Sequence, residues 1–278
     1  MQSSRRKARP LHRYGADLPM YRRPYLYDLA FGFRDIAAEC QGLLTLAARH
    51  GVKRPRTVIE LACGPAHHLR ELARLGMACQ GLDINREMLG YARALCRRDG
   101  VKVALRRADM RTFTTPRRFD IALCLFDSFA QCVTDRDAIE TLRCAGAALR
   151  RGGLAFVEFT HPADYFGRGR TRTVDRWTQR DGDLAVSARF SLTRFDPVAE
   201  TVVASLVIVP KVRNGKRNAA QPLVMRWPQR MWLRGGISHV VLASACFDIV
   251  GWYGDLDPIA PLDLAAQAWR MIVVLRRR

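Results

Sequence analysis

The sequence predicts an α/β protein, a doubly wound sheet of seven strands with an antiparallel β insertion after strand five. Three observations carry this. From residue 57 onward, strand-length apolar runs alternate with helix-length amphipathic ones, the order that builds a parallel sheet with helices on its faces. Beyond Pro162 the helices thin out, and β-rich runs separated by turn residues take over. After residue 230, one helical segment and two strand candidates return the chain to the main sheet as an antiparallel pair.

The elements follow in order. Behind a basic tail, residues 21–33 are rich in aromatic side chains, and 35–50 place Ile36, Ala37, Cys40, Leu43, Leu44 and Leu46 at the spacing of an amphipathic helix closed by Gly51. Strands are expected at 57–62, 78–82, 101–105, 119–125 and 154–159. Between them lie helices at 67–75, 86–96 and 135–149, the last opened by Thr134 and Asp137 as a capping pair. The insertion should pair runs at 184–195, 201–209 and 222–227, with Asp196-Pro197 and Asn214-Gly215 as turns. A helix at 231–244 and strands at 247–253 and 268–275 complete the sheet. The chain thus divides into a tail (1–20), a core (21–162), an insertion that caps the substrate (163–230) and a C-terminal part (231–278).

With 278 residues, 49% of them hydrophobic, the chain can bury a large core, which excludes disorder and collagen-like repetition. Its apolar runs, such as 121–126, fall far short of the roughly 20 residues of a membrane-spanning helix. Arg5, Arg6, Lys7, Arg9 and Arg13 have no apolar stretch behind them, so no secretory signal is expected and the cytoplasm is the expected compartment. The eight cysteines form no C-x-x-C pair and read as reduced core thiols, and no metal site is expected. A formal charge of +20 can mark a nucleic-acid partner, but only five of the 46 basic residues are lysine and the arginines are scattered, which fits a general arginine enrichment at least as well.

The stretch Val58-Ile59-Glu60-Leu61-Ala62-Cys63-Gly64-Pro65-Ala66-His67 reads as a buried strand passing through small residues into a helix, where a ligand can approach backbone amides. Strand two ends at Gly81-Leu82-Asp83, putting a carboxylate able to accept both hydroxyls of a ribose beside that loop. Ala108-Asp109-Met110 follows strand three. Only Gly64 is glycine in the first loop, and Glu60 would repel phosphate, so the pattern suits a nucleoside with an amine-bearing tail better than a dinucleotide.

These residues resemble the class I S-adenosylmethionine-dependent methyltransferases, with their Rossmann-like fold. The family's first motif is matched by Glu60 to Ala66, with Ala62 and Ala66 where glycine is commoner. Its ribose acid is matched by Asp83, the following helix by Asn85-Arg86-Glu87-Met88-Leu89, and its adenine-side acid by Asp109-Met110. The resemblance implies S-adenosyl-L-methionine as cofactor, contacted by Tyr27, Arg34, Glu60, Ala62, Gly64, Asp83, Ile84, Met88, Asp109, Met110 and Leu125. Gly251-Trp252-Tyr253-Gly254-Asp255 looks like the family's late hairpin. The layout is similar to deoxyaminosugar N,N-dimethyltransferases, which share Tyr27-Asp28 and the insertion; where they carry a histidine after strand four, this chain has Gln131.

The resemblance implies methyl transfer to a nitrogen or oxygen of a small molecule, with RNA as the alternative acceptor. Such a displacement chiefly needs the acceptor held in line with the methyl group, and a hydroxyl gains from a base. His161 and Asp127, just past strands five and four, are the candidate bases. Ser128, Gln131 and Tyr21 are the candidate substrate contacts. No membrane partner is expected.

Overall fold

The computed structural model describes residues 19–166, 171–212, 221–264 and 268–278. The first 18 residues of the basic tail and the Asn214-Gly215 turn lie outside the described residues. A short helix α1 (Pro24–Ala30) precedes α2 (Ile36–Arg49), after which β1 (Thr57–Leu61), α3 (His67–Arg74), β2 (Ala78–Asp83), α4 (Arg86–Arg98), β3 (Val103–Arg107) and β4 (Phe119–Cys124) alternate. Then come α5 (Asp135–Ala148) and β5 (Leu149–Thr160), followed by β6 (Thr171–Asp181), β7 (Leu184–Asp196), β8 (Thr201–Val212) and β9 (Leu223–Arg230). The chain closes with α6 (Arg234–Ser244), β10 (Phe247–Leu256), β11 (Ile259–Pro261) and β12 (Arg270–Arg277).

The main sheet runs β3-β2-β1-β4-β5-β12-β10-β11. Its first five strands pair in parallel, β12 runs antiparallel to β5, and β10 antiparallel to β12. The sheet has eight strands, not seven. The additional one, β11, is a three-residue edge strand on which the chain folds back so that Leu256 pairs with Ile259 and Asp255 with Ala260. Three residues ending in proline carry no alternation that a sequence reading can detect.

Helix starts follow from local chemistry. Asp35 accepts from Ala38 N, Asn85 from Met88 N and Thr134 from Asp137 N, each satisfying an amide that the first turn leaves open. Alternation along β1 sends Val58 to one face of the sheet, with Leu43, Leu69 and Leu89 of α2, α3 and α4, and sends Ile59 and Leu61 to the other, with Leu142 and Val240 of α5 and α6. Each such side chain, fully buried, contributes about 1.5–3 kcal/mol. Gly42 lets α2 lie directly on β10, because a Cβ there would come within 2.2 Å of the Leu256 carbonyl oxygen.

The second sheet, β6-β7-β8-β9, is antiparallel throughout. Its strand β6 went unread because Thr171–Asp181 is dominated by polar residues. Leu192, Leu206, Met225 and Trp227 of this sheet pack with Ala30 and Tyr165, building a third apolar cluster over the carboxyl edge of the main sheet. Among the described residues, no helix is long and apolar enough to cross a membrane.

Candidate active site

The loop after β1 turns through three left-handed residues, Ala62 (φ 54°), Gly64 (φ 50°) and Ala66 (φ 59°). Alanine in this conformation carries roughly 1–2 kcal/mol of strain that glycine avoids. Cys63 N donates to Leu82 O at 2.9 Å, which locks the loop beside the end of β2. There Asp83 accepts from Gly64 N at 2.9 Å and from Asn85 N at 2.8 Å. Burial pushes the Asp83 carboxyl up, and the Asn85 and Gly64 amides hold it back only in part. Met88, 1% exposed, lies beneath the loop.

Past β3, Asp109 is ion-paired with Arg111 at 2.6 Å, and the hydrogen bond from Arg111 lowers its carboxyl pKa. Ala62, Ile84, Asp109 and Met110 frame a small hollow of about 60 Å³, closed on its far side by Ser128 and Gln131. The loop ends of β1, β2 and β3 are thus brought together, as the spacing of their motifs implied.

A larger cavity, about 510 Å³, opens between this edge and the antiparallel sheet, walled by Tyr21, Tyr27, Phe31, Phe126, Trp177 and Trp227. Tyr21 and Tyr27 meet edge to face at 6.0 Å. Burial raises both phenol pKa values, and the Asp83 charge adds to it; Tyr21 also hydrogen-bonds Gln131. Helix α1, which carries Tyr27, is anchored on both sides: Asp28 pairs with His67 Nε2 at 2.6 Å and accepts from Tyr91 at 2.6 Å, while the Trp177 indole donates to Ala30 O.

Asp127 lies in the cavity wall just past β4, where Phe126 and Asp127 both adopt left-handed φ (59° and 57°). Its carboxylate accepts from Thr160 N at 3.0 Å, Thr160 Oγ1 at 2.9 Å and Gln229 Nε2 at 2.9 Å. Burial lifts its pKa to about 7, against the lowering by Thr160 and with help from the Glu158 charge. His161 also lines the cavity, but both of its ring nitrogens are engaged. Nε2 bonds to Asp263 O at 2.9 Å, and Nδ1 accepts from Ala163 N at 3.2 Å, which caps the short turn at Pro162–Asp164. Ser128 Oγ donates to Leu125 O at 2.9 Å, and the Leu125 side chain packs in the core.

Arg34 reaches the cavity wall with its guanidinium already held by two carboxylates, Glu39 at 2.6 Å and Glu158 at 3.1 Å, and its side chain is 2% exposed. Arg270 continues the chain of charges to Glu158 at 3.2 Å and Asp255 at 2.6 Å. At the other end, His68 Nε2 meets Glu39 at 2.9 Å and Nδ1 faces Glu60 at 3.5 Å. Glu60 therefore points beneath the loop toward α3, and its Oε2 is buried with no hydrogen-bond partner. Burial alone would raise Glu39, yet His68 and Arg34 hold it far below the usual carboxylate range. Burial alone would lower His68, yet Glu39 and Glu60 raise it.

Glu39, Glu158, Arg270 and Gln229 were missed by sequence reasoning. Glu158 had a signal, a charge inside the apolar run Leu154-Ala155-Phe156-Val157-Glu158-Phe159. Gln229 had a weaker one, the period-two face it shares with Met225 and Trp227.

Residues 58–153 match the family model described as a methyltransferase domain. The chain is 31% identical over 135 residues to dTDP-3-amino-3,6-dideoxy-alpha-D-glucopyranose N,N-dimethyltransferase of Streptomyces fradiae, covering 48% of this chain and 51% of the relative. It is 26% identical over 174 residues to cypemycin N-terminal methyltransferase of a Streptomyces species, covering 58% and 69%. The chain thus spans about half the length of the first of these relatives. Among solved structures, an S-adenosylmethionine-dependent methyltransferase from Clostridium acetobutylicum superposes with a TM-score of 0.72 at 16% identity, covering 92% of this chain and 98% of that one. The chain therefore shares the fold of that S-adenosylmethionine-dependent methyltransferase, and residues 58–153 resemble the methyltransferase-domain family.

Proposed function

We propose that the chain transfers a methyl group from S-adenosyl-L-methionine to a nitrogen of a small-molecule acceptor seated in the large cavity. The observation that carries this is the meeting of the three strand-end motifs with that cavity across Ser128 and Gln131, which line both hollows. The relatives named for N-methylation of an aminosugar and of a peptide N-terminus support nitrogen as the acceptor atom. No observation favours RNA.

The residues present fit the cofactor. The small left-handed loop leaves Gly64 free of any contact closer than 3.8 Å at its missing Cβ, and Asp83 has the charge to receive ribose hydroxyls. Gly64, Asp83, Ile84 and Met88 would hold the nucleoside, with Asp109 and Met110 on the adenine side. Ala62 and Tyr27 would shape the methionine end, while Glu60, turned to His68, Arg34, held by Glu39 and Glu158, and Leu125, packed in the core, would support it from behind. The cofactor, when bound, supplies an electrophilic methyl on a sulfonium.

The chain's own residues do the rest. The aromatic walls exclude water, Tyr21, Ser128 and Gln131 orient the acceptor, and Asp127 takes its proton. An acceptor amine must be neutral to react, and a carboxyl titrating near 7 is suited to drawing off that proton. His161, with both nitrogens bonded, holds the turn beside Asp127. Residues 163–230 act as the cap. We place the protein in the cytoplasm, where the cofactor is made and eight unpaired cysteines are compatible with the redox state.

Calorimetry with S-adenosylhomocysteine, followed by transfer of labelled methyl to dTDP-aminosugar and peptide acceptors, tests the reading. Absence of cofactor binding overturns it.

A further inference from the structure

The basic residues are scattered along the sequence but gathered by the fold. At the amino edge of the main sheet, opposite the candidate active site, the segments 51–57, 74–78, 97–103, 117–120, 149–153, 247–248 and 276–278 come together. They hold fourteen of the 46 basic residues and three of the 26 acidic ones. All fourteen are exposed except Arg277, which is half-buried. The three carboxylates are already occupied: Asp99 by Arg70, Arg74 and Arg98, Asp120 by Arg150 and the Arg56 and Thr57 amides, and Asp248 by Arg278. Arg54, Arg117 and Arg151 meet no carboxylate among the described residues.

We infer that this edge is a docking face for nucleic acid, held through its phosphodiester backbone. The inference does not rest on the methyltransferase reading. Six adjacent strands, β3-β2-β1-β4-β5-β12, each bring at least one cation to the edge, so the charges form a row about 4.8 Å apart and about 24 Å long. A row of that kind suits a polymer with a charge at every repeat. Twelve of the fourteen are arginine, whose planar fork takes a phosphate by two hydrogen bonds. Thr57, Gln80, Arg117, Arg118 and Arg150 line a hollow of about 250 Å³ in the row, a concave place for such a group. A membrane-surface site would need apolar side chains to sink into lipid, and Leu75 is the exposed large apolar residue of this edge among the described residues. The exposed aromatic rings Tyr25, Phe33, Phe166 and Trp269 all lie outside these segments, so nothing here stacks on bases and the face reads no sequence. The five residues of β1, about 17 Å of strand, separate it from the Gly64 loop, so a strand docked here is not an acceptor for methyl transfer.

Fluorescence anisotropy of the full chain with labelled oligouridylate, oligoadenylate and oligothymidylate of about 20 nucleotides tests the face, with polyglutamate and phosphatidylserine vesicles as competing polyanions. The three strands should bind alike, and log affinity should fall linearly with log salt from about 50 to 200 mM. Arg54→Gln, Arg117→Gln and Arg151→Gln combined should weaken binding about 10-fold at the low-salt end and reduce the slope by about 2. Arg136→Gln, Arg189→Gln and Arg226→Gln combined remove the same charge from exposed positions elsewhere and should leave affinity and slope near the native values. The face is overturned if no strand binds, if polyglutamate or the vesicles bind more tightly than the strands, or if the second variant weakens binding as much as the first. It is also overturned if a bound strand takes up labelled methyl, which would place it in the cavity. Should the triple variant not fold, Arg117→Gln alone serves, with a slope reduced by about 0.7 expected and an unchanged slope overturning the face.

Discussion

Gln229, on the last strand of the antiparallel sheet, donates to Asp127, at the end of the fourth strand of the main sheet, across 2.9 Å. The side chain proposed as the base is thus partly held by the insertion, and Thr160 at the end of β5 holds it as well. On the proposed reading, with Asp127 as the base and the insertion as the cap, displacing β9 would loosen acceptor binding and proton removal together.

The Asp127 carboxyl, titrating at about 7, sets a pH dependence with a definite sign. Turnover with a saturating amine should rise as pH increases through about 7, and Asp127→Asn should flatten that limb and lower kcat by about 10²-fold. Stability runs the other way. The native carboxyl keeps its proton to about 7, while an unfolded aspartate releases its own near 3.9, so the native state binds more protons between those values and loses stability as pH rises across them. Urea unfolding at pH 5 and pH 8 checks this, and Asp127→Asn should reduce the difference.

Asp83 should govern cofactor affinity. Asp83→Ala removes a charged acceptor and should weaken S-adenosylhomocysteine binding by about 1–3 kcal/mol, read by calorimetry. Saturating the native chain at about 100 times the dissociation constant should stabilise it by roughly 2.7 kcal/mol. A folded Asp83→Ala with native affinity would move the ribose site elsewhere.

The buried charges around Glu39 give an acid-sensitive contribution. Its carboxyl is held low in the native state by His68, Arg34 and Arg270, so the stability it adds is present above the unfolded carboxylate pKa and is lost as pH falls toward the native value. Glu39→Gln should cost about 3–5 kcal/mol at neutral pH by leaving buried cations short of a partner, and its unfolding curve should change less on acidification. His68 contributes in the opposite sense, because its raised pKa makes its stabilisation full below the unfolded value and lost as pH rises through the native one.

Two glycines in helices should respond oppositely to alanine. Gly42→Ala drives a Cβ against the Leu256 backbone and should destabilise by about 1–3 kcal/mol or more. Gly90, on the exposed side of α4, has open space around it, so Gly90→Ala should stabilise by about 0.4–1 kcal/mol. Thermal melts of the two variants separate these outcomes.

The alternation of β1, α3, β2 and α4 was legible in the sequence because burial there follows period 2 in strands and 3.6 in helices, and because Asp35, Asn85 and Thr134 announce helix starts within a few residues of themselves. The loop proposed to hold the cofactor was legible for the same local reason: Gly64 and Asp83 each follow or end a strand whose pattern can be read. The partners of those residues were another matter. Arg34 meets Glu158, and Asp127 meets Gln229, across 124 and 102 residues of chain. Nothing in a local window records whether an arginine in a chain with 46 basic residues is solvated or buried between two carboxylates. Sequence determined the parallel strands and the helices between them, in their order along the chain, and the residues at the carboxyl edge, since these follow from short-range periodicity and capping; the edge strand β11 and the polar strand β6 carry no such pattern. Tertiary structure alone decided that Glu60 turns to His68, that both nitrogens of His161 are occupied and that Asp127 titrates near 7, because burial and charge–charge contact depend on which distant segments close over each group.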